Sequence, residues 1–356
     1  MKSAIQGRID RFRSLFGVRV PVLLAPMSGV LAPALSRAVA QAGGAGACGA
    51  LMLSPGAIRD WAAQMRAATN GPFQINLWVP DPAPLRDAPH EAAIRGFLGQ
   101  WGPAVPPDAG DTVPQDFDAQ CQALLDAAPP FVSSVMGLFA PDFVAALQAR
   151  GVLWVANIST VAEARAAVAA GAGAVVAQGA EAGGHRGCFD GARGESDAIG
   201  LLALLPAVAD AVDVPVIATG GIGDARGVAA ALLLGASAVQ VGTAFLRCPE
   251  AGPVPWADAL AGLAPEEAVL TRAFSGRAGR GVRTAYVTAA ADGPVPAPYP
   301  VQRALTAAMR TDAVAAGDID RMQAWAGQAA GLARAESAAA TMDRLWQPAA
   351  DALGLV

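Results

Sequence analysis

"ATGGIGDARGVAAALLLGASAVQVGTAFL" (residues 218–246) reads as a strand end, a glycine loop, a helix and a second strand in one line. The run VPVIATG (214–220) is apolar until it stops at paired glycines, DARGVAAALLLG has the Ala/Leu spacing of a helix, and AVQVGTAF (238–245) is mostly apolar again. Strands that are continuously apolar rather than alternating are buried on both faces, as in parallel sheets covered by helices. The stretch is therefore a strand–helix–strand unit. Working outward, the same pattern predicts strands at 20–27, 45–51, 73–79, 131–137, 152–159 and 174–180, with helical stretches such as TVAEARAAVAAG between them. Eight such repeats predict a (β/α)8 TIM barrel. A doubly wound open sheet is the alternative, and the repeat number favours closure.

Two stretches exceed a minimal barrel. Residues 80–114, rich in Pro, Asp and Gly, read as an excursion after the third strand. Residues 246–315 read as an inserted or C-terminal, mainly helical cap that shapes a substrate site. DIDRMQAWAGQAAGLARA reads as helical and as the final helix that closes the barrel, in a C-terminal part, 316–356, that packs back on a barrel spanning 1–245.

Of the 356 residues 54% are apolar and 15% charged, which suits one large core. The net charge is −5, Lys2 is the single lysine, and no basic run occurs, so neither nucleic acid nor an anionic membrane is an expected partner. Cys48, Cys121, Cys188 and Cys248 lack metal-ligand or redox spacing. The N-terminus carries charges throughout and no transmembrane run appears, so a cytoplasmic protein is expected.

A barrel carries its chemistry at the carboxyl ends of its strands. Gly220, Gly221 and Gly223 leave the seventh strand and open a helix. Gly242 and the Thr243 hydroxyl end the eighth. Two consecutive glycine loops at a helix start suit a phosphate, although either loop alone reads equally as a tight turn. There is no dinucleotide fingerprint and no Walker lysine, so a mononucleotide over the barrel mouth fits, and flavin mononucleotide (FMN) is the candidate. Met27 has a soft thioether for a ring, and Asn76 and Gln178 each offer a donor and an acceptor to its amide-like edge. Singly, each reads as well as a strand-end residue satisfying nearby backbone.

The segments PVLLAPMSGV (21–30), GPFQINLW (71–78), AQGAEAGGHRG (177–187) and 218–246 resemble the nitronate monooxygenase family, formerly 2-nitropropane dioxygenase. TRAFSGRAGRGV (271–282) and WAGQAAGLAR (325–334) add to the likeness. The resemblance implies FMN held by Asn76, Gln178, Gly183, Gly221 and the run Gln240, Val241, Gly242 and Thr243, with Met27 near the ring. It implies His185 as the catalytic histidine. It also implies oxidation of alkyl nitronates, propionate 3-nitronate among them, with O₂, to a carbonyl compound and nitrite.

His185 is one of two histidines, and Gly183 and Gly184 clear space beside it. An imidazole titrates near neutrality, so it can take a proton alpha to a nitro group or stabilise a nitronate anion. His90 is assigned no role, and no ligand spacing supports a metal. Cys188 makes a poor nucleophilic pair with His185, Glu181 reads as structural, and Arg186 reads equally as an anion ligand or a surface salt bridge. Two other functions compete: an NAD(P)H-dependent flavin reductase of the enoyl-acyl-carrier-protein reductase type, which shares a GGH loop, and a non-catalytic sensor of FMN or a phosphate ligand. The wording EAGGHRG favours the monooxygenase, and a titrating group at the mouth disfavours a sensor.

Overall fold

The computed structural model describes residues 2–355. Its strands are β1 (Val22–Leu24), β2 (Gly46–Gly49), β3 (Phe73–Trp78), β4 (Phe131–Val135), β5 (Leu153–Ile158) and β6 (Ala174–Gln178). A two-residue strand, β7 (Gly184–His185), lies in the loop after β6, and β8 (Val216–Thr219) and β9 (Ala238–Val241) complete the barrel. All eight barrel strands pair in parallel in the order β1-β9-β8-β6-β5-β4-β3-β2. A parallel bridge between Leu23 and Ala45 joins β1 to β2 and closes the ring. The protein is a (β/α)8 TIM barrel, as the repeat pattern predicts.

The strands of a barrel alternate between lumen and exterior with period two. Leu23, Phe131, Val155, Val176, Ile217 and Ala238 fill the lower lumen, and Phe12 and Phe16 of helix α1 (Lys2–Phe16) join that cluster. Two residues further along five of these strands the lumen turns polar: Ser133, Asn157, Gln178, Thr219 and Gln240. The apolar layer holds the barrel shut, and the polar layer above it forms the floor of a mouth.

Outside lie α2 (Pro33–Gln41) and α3 (Pro55–Ala68). The excursion after β3 carries α4 (Ala88–Leu98) before α5 (Phe117–Ala127) returns to the barrel wall. Then follow α6 (Pro141–Ala149), α7 (Val161–Ala169), α8 (Leu201–Ala209) and α9 (Ala225–Leu233). Helix starts are set locally: Ser54 accepts from Ala57 N–H, and Asp224 accepts from Arg226 and Gly227 N–H.

After β9 come short 3-10 turns and an antiparallel pair, β10 (Ala268–Thr271) and β11 (Gly279–Val282). Helices α10 (Ala285–Ala290), α11 (Val301–Leu305) and α12 (Ala307–Ala316) follow. Ile94 and Leu98 of α4 share one apolar cluster with Phe274, Tyr286, Leu305 and Met309. The excursion after β3 and the segment after β9, far apart in the chain, thus build a common cap. Strand β11 also pairs with β7, so the cap grips the loop that carries His185.

One expectation is overturned. DIDRMQAWAGQAAGLARA is not a helix: it holds only 3-10 turns at Ile319–Arg321 and Ala330–Leu332. The helix that closes the barrel is α13 (Ala338–Leu353), capped by Ser337 and ended by Gly354 in the left-handed region. The alanines of 324–334 favour helix, but their backbone is taken by tertiary partners. Val282 N–H donates to Ala324 O, Ala326 N–H to Arg280 O, and Gln328 N–H to Glu181 O. At Gly327 a Cβ would stand 2.9 Å from Glu181 O and 3.1 Å from Gly183 N, so only glycine fits there.

Candidate active site

A cavity of about 610 Å³ opens at the carboxyl ends of the barrel strands. Met27, Asn76, Gln178, Gly183, His185, Gly220, Gly221, Gln240, Val241, Gly242 and Thr243 line it; Gly223 and Arg186 do not. Val241 does so through its backbone region, since its side chain packs in the core.

The polar floor is an oriented network. Asn76 Nδ2 donates to Ser133 Oγ at 3.0 Å, Ser133 Oγ donates to Gln74 Oε1 at 2.8 Å, and Gln74 Nε2 donates to Gln240 Oε1 at 3.0 Å. Among the described residues Asn76 Oδ1 and Gln240 Nε2 have no partner, one an acceptor and one a donor. Gln178 behaves differently. Its Oε1 accepts from Gly187 N–H at 2.8 Å and from Arg186, and its Nε2 donates to His185 O at 3.0 Å. Its amide therefore holds the histidine loop as well as facing the cavity.

At the rim, the N–H groups of Gly221, Ile222, Thr243 and Ala244 have no backbone acceptor. Gly220 and Gly221 sit at φ +110° and +68°, a backbone that L side chains rarely adopt. Thr243 Oγ1 accepts from Gly327 N–H at 3.1 Å, which leaves its own proton to donate. These donors form a cradle for an oxyanion. Met27 lies against Gly242, where an added Cβ would meet its Sδ at 3.3 Å. Phosphate cradle, soft thioether and amide floor share one cavity, and this donor set fits FMN.

His185 stands above the floor between two indoles, edge-on to Trp78 at 4.9 Å and to Trp325 at 5.1 Å. Its Nε2 lies 2.7 Å from Ser275 Oγ, and that hydroxyl lies 3.2 Å from Arg277 O. Two arrangements satisfy this contact: with the serine proton on Arg277 O, Nε2 donates to Ser275, and with it on Nε2, the imidazole accepts. Nδ1 has no partner among the described residues and is not sealed from the cavity. Burial, and behind it the guanidinium groups of Arg277, Arg303 and Arg310, push the imidazole down to about 3. The free site therefore holds a neutral histidine at pH 7.

The cap adds cations that the sequence reading did not single out. Arg303 faces the cavity, and its guanidinium makes no hydrogen bond or ion pair with a described residue. Arg310 also lines the cavity, braced by Thr306 Oγ1, Gln323 Oε1 and Arg303 O, and burial pulls it down to about 10. Period-two spacing within QIN was the one signal for Gln74; nothing local marked Ser275, Arg303 or Trp325 as neighbours of His185.

Arg186 is neither an anion ligand nor a surface salt bridge. It is 1% exposed and makes no ion pair among the described residues. Glu181 caps α8 by accepting from Leu201 N–H. Cys188 is buried with its thiol pushed up by burial, and His90 bonds Val295 O within the cap. Among the described residues there is no cluster of metal-ligating side chains and no helix long and apolar enough to cross a membrane.

A family model described as nitronate monooxygenase matches residues 10–347. A nitronate monooxygenase of Pseudomonas aeruginosa is 41% identical over 91% of this chain and 95% of its own. One from Paraburkholderia phytofirmans is 38% identical over 93% and 92%. The solved nitroalkane oxidase from Streptomyces ansochromogenes superposes with a TM-score of 0.87 at 36% identity, covering 96% of this chain and 99% of its own. FabK from Thermotoga maritima gives 0.74 at 25% identity over 97% of each chain.

Proposed function

This chain belongs to the nitronate monooxygenase family and is an oxidoreductase acting on nitronates, and from that premise we propose that it binds FMN and oxidises small alkyl nitronates with O₂ to a carbonyl compound and nitrite. The observation that carries the reading is a neutral His185, with Nδ1 free, in the same cavity as the amide floor and the N–H cradle.

Each residue then has a task. The N–H groups of Gly221, Ile222, Thr243 and Ala244 hold the phosphate. Asn76 Oδ1 and Gln240 Nε2 would meet the ring's amide-like edge, and Met27 would pack against the ring. FMN bound there supplies the electron acceptor and the site of O₂ chemistry. His185 Nδ1 accepts the proton when the substrate arrives as a neutral nitroalkane, in the arrangement where Nε2 donates to Ser275. When the substrate is already a nitronate, the imidazole's part is to hold the anion. Arg303, an unpaired cation on the cap, favours anionic substrates such as a nitronate that carries a carboxylate. Trp78, Trp256 and Trp325 line the same cavity and displace water from it.

The NAD(P)H-dependent reductase is the second reading, and the likeness to FabK keeps it in view. Anaerobic mixing separates the two. Bleaching of the yellow protein by a nitronate alone supports the oxidase. Bleaching by NADPH alone, with the nitronate inert, overturns it. A colourless protein that takes up no FMN on reconstitution removes the cofactor from both readings.

A further inference from the structure

Arg186 is the charged group that neither the cradle nor the proton chemistry uses. It sits directly after His185, is 1% exposed and does not line the cavity. Its Nη1 donates to Gln178 O at 3.2 Å, to Gln178 Oε1 at 3.2 Å and to Gly179 O at 2.8 Å. Its Nε and Nη2 are buried without a partner. Burying a guanidinium without a hydrogen-bonded carboxylate is unfavourable, so its place here is not explained by stability.

The nearby carboxylates, Glu163 and Glu181, act on Arg186 through space but make no hydrogen bond to it. Glu163 accepts from Ser159 N–H and Oγ–H and from Phe189 N–H, at 2.6, 2.8 and 2.7 Å. Glu181 is spent on Leu201 N–H at 3.0 Å. The neighbouring Arg280 is a second buried cation, bonded to the carbonyls of Ala180 and Ala268. Two guanidinium groups and two carboxylates thus lie behind the end of β6, and Arg186 is the one of the four that touches Gln178.

The route from this charge to the cavity is a single amide. Gln178 Oε1 accepts from Arg186 and from Gly187 N–H, so the orientation of its amide is determined by partners. Its Nε2 is left with one proton on His185 O and a second that has no protein acceptor. A cation on the carbonyl end polarises the amide and strengthens its N–H as a donor.

We propose that Arg186 is a positioning residue for the cofactor: its guanidinium, bonded to the Gln178 carbonyl, holds and polarises that amide so that an Nε2 proton faces the ring and stabilises the negative charge that reduction brings to it. The inference rests on FMN occupying the cavity. It goes beyond bracing the loop, because a strut of any chemistry leaves the flavin potential alone.

The test uses purified holoprotein and reads the flavin midpoint potential against a reference dye, with FMN content and thermal unfolding as checks. Arg186→Met removes the charge at similar length, and Arg186→Lys keeps it. The expected result is a more negative potential in the Met variant, moving the dye equilibrium by about tenfold, the factor that ~1.4 kcal/mol produces. The Lys variant stays near wild type. A Met variant that retains FMN at the wild-type potential overturns the proposal, and so does a Lys variant displaced as far as Met. Should Arg186→Met not fold or not hold FMN, Arg186→Gln decides instead. It keeps a donor for the Gln178 carbonyl without the charge, so a lowered potential supports the proposal and an unchanged or raised one overturns it. Wild-type protein that binds no FMN overturns the cofactor reading itself, a result distinct from an unchanged potential.

Discussion

His185 bonds Ser275 through Nε2 and turns Nδ1 to the cavity, so a substitution can separate its two possible tasks. Asparagine still donates a hydrogen bond but is no base near neutral pH. His185→Asn is expected to retain FMN. Turnover of a neutral nitroalkane should fall by roughly two to four orders of magnitude, the size of a general-base contribution, and that of a preformed nitronate by less. Steady-state kinetics on the two substrates check this; equal losses would mean that the imidazole acts by holding the anion. The depressed pKa has a second consequence. Between about 3 in the folded state and 6.5 unfolded, the unfolded chain binds the proton that the folded one refuses. This contribution is therefore present in full above pH 6.5 and is lost as pH falls towards 3, by up to about tenfold in the folding equilibrium per pH unit. Denaturant titrations of apoprotein from pH 7 to 4 should show a shallower decline in a His185→Gln variant than in wild type. Parallel curves would show that the imidazole titrates normally.

At the scale of elements, the two loops after β8 and β9 and the extended segment 322–328 form one arrangement. Thr243 holds Gly327, Glu181 O holds Gln328, and Gly183 lies so close to Gly327 that a Cβ on Gly183 would come 2.5 Å from Gly327 N. Gly221→Asp puts a carboxylate into the N–H cradle at φ +68°, where its Cβ would also meet Glu181 Cβ at 3.2 Å. The expected outcome is a folded barrel, with wild-type far-UV circular dichroism, that has lost most of its FMN. Wild-type flavin content in that variant would remove these loops from the phosphate site. The loops were legible in the sequence because glycine at a strand end has few readings. Segment 322–328 was not, because its alanines favour a helix and the partners that unwind it lie at Arg280, Val282 and Glu181.

For the whole molecule, the barrel lumen is apolar below and polar above, so the cavity depends on the same strands that hold the core. A ligand that binds only the folded chain stabilises it by RT ln(1 + [L]/Kd), about 2.7 kcal/mol at a hundredfold excess over Kd. Added FMN should therefore raise the unfolding temperature of apoprotein in a concentration-dependent way, and riboflavin, which lacks the phosphate, should raise it less. Equal shifts for both would argue against the cradle.

The chain's own pattern of apolar runs and glycine stops determined the barrel, its eight strands and the loops at its mouth, because period, length and backbone freedom are local properties. It also placed Asn76, Gln178, His185 and Thr243 at strand ends facing one cavity. Only the tertiary structure decided how they are used. Gln74 and Ser133 orient Asn76 from neighbouring strands, and Ser275 meets His185 Nε2 from 90 residues away. Arg186 turned from a surface candidate into a buried cation, and α4 joined α10–α12 in one cap. Hydrogen-bond partners, burial and charge compensation are relations between segments distant in sequence, and they come into being only when the barrel closes.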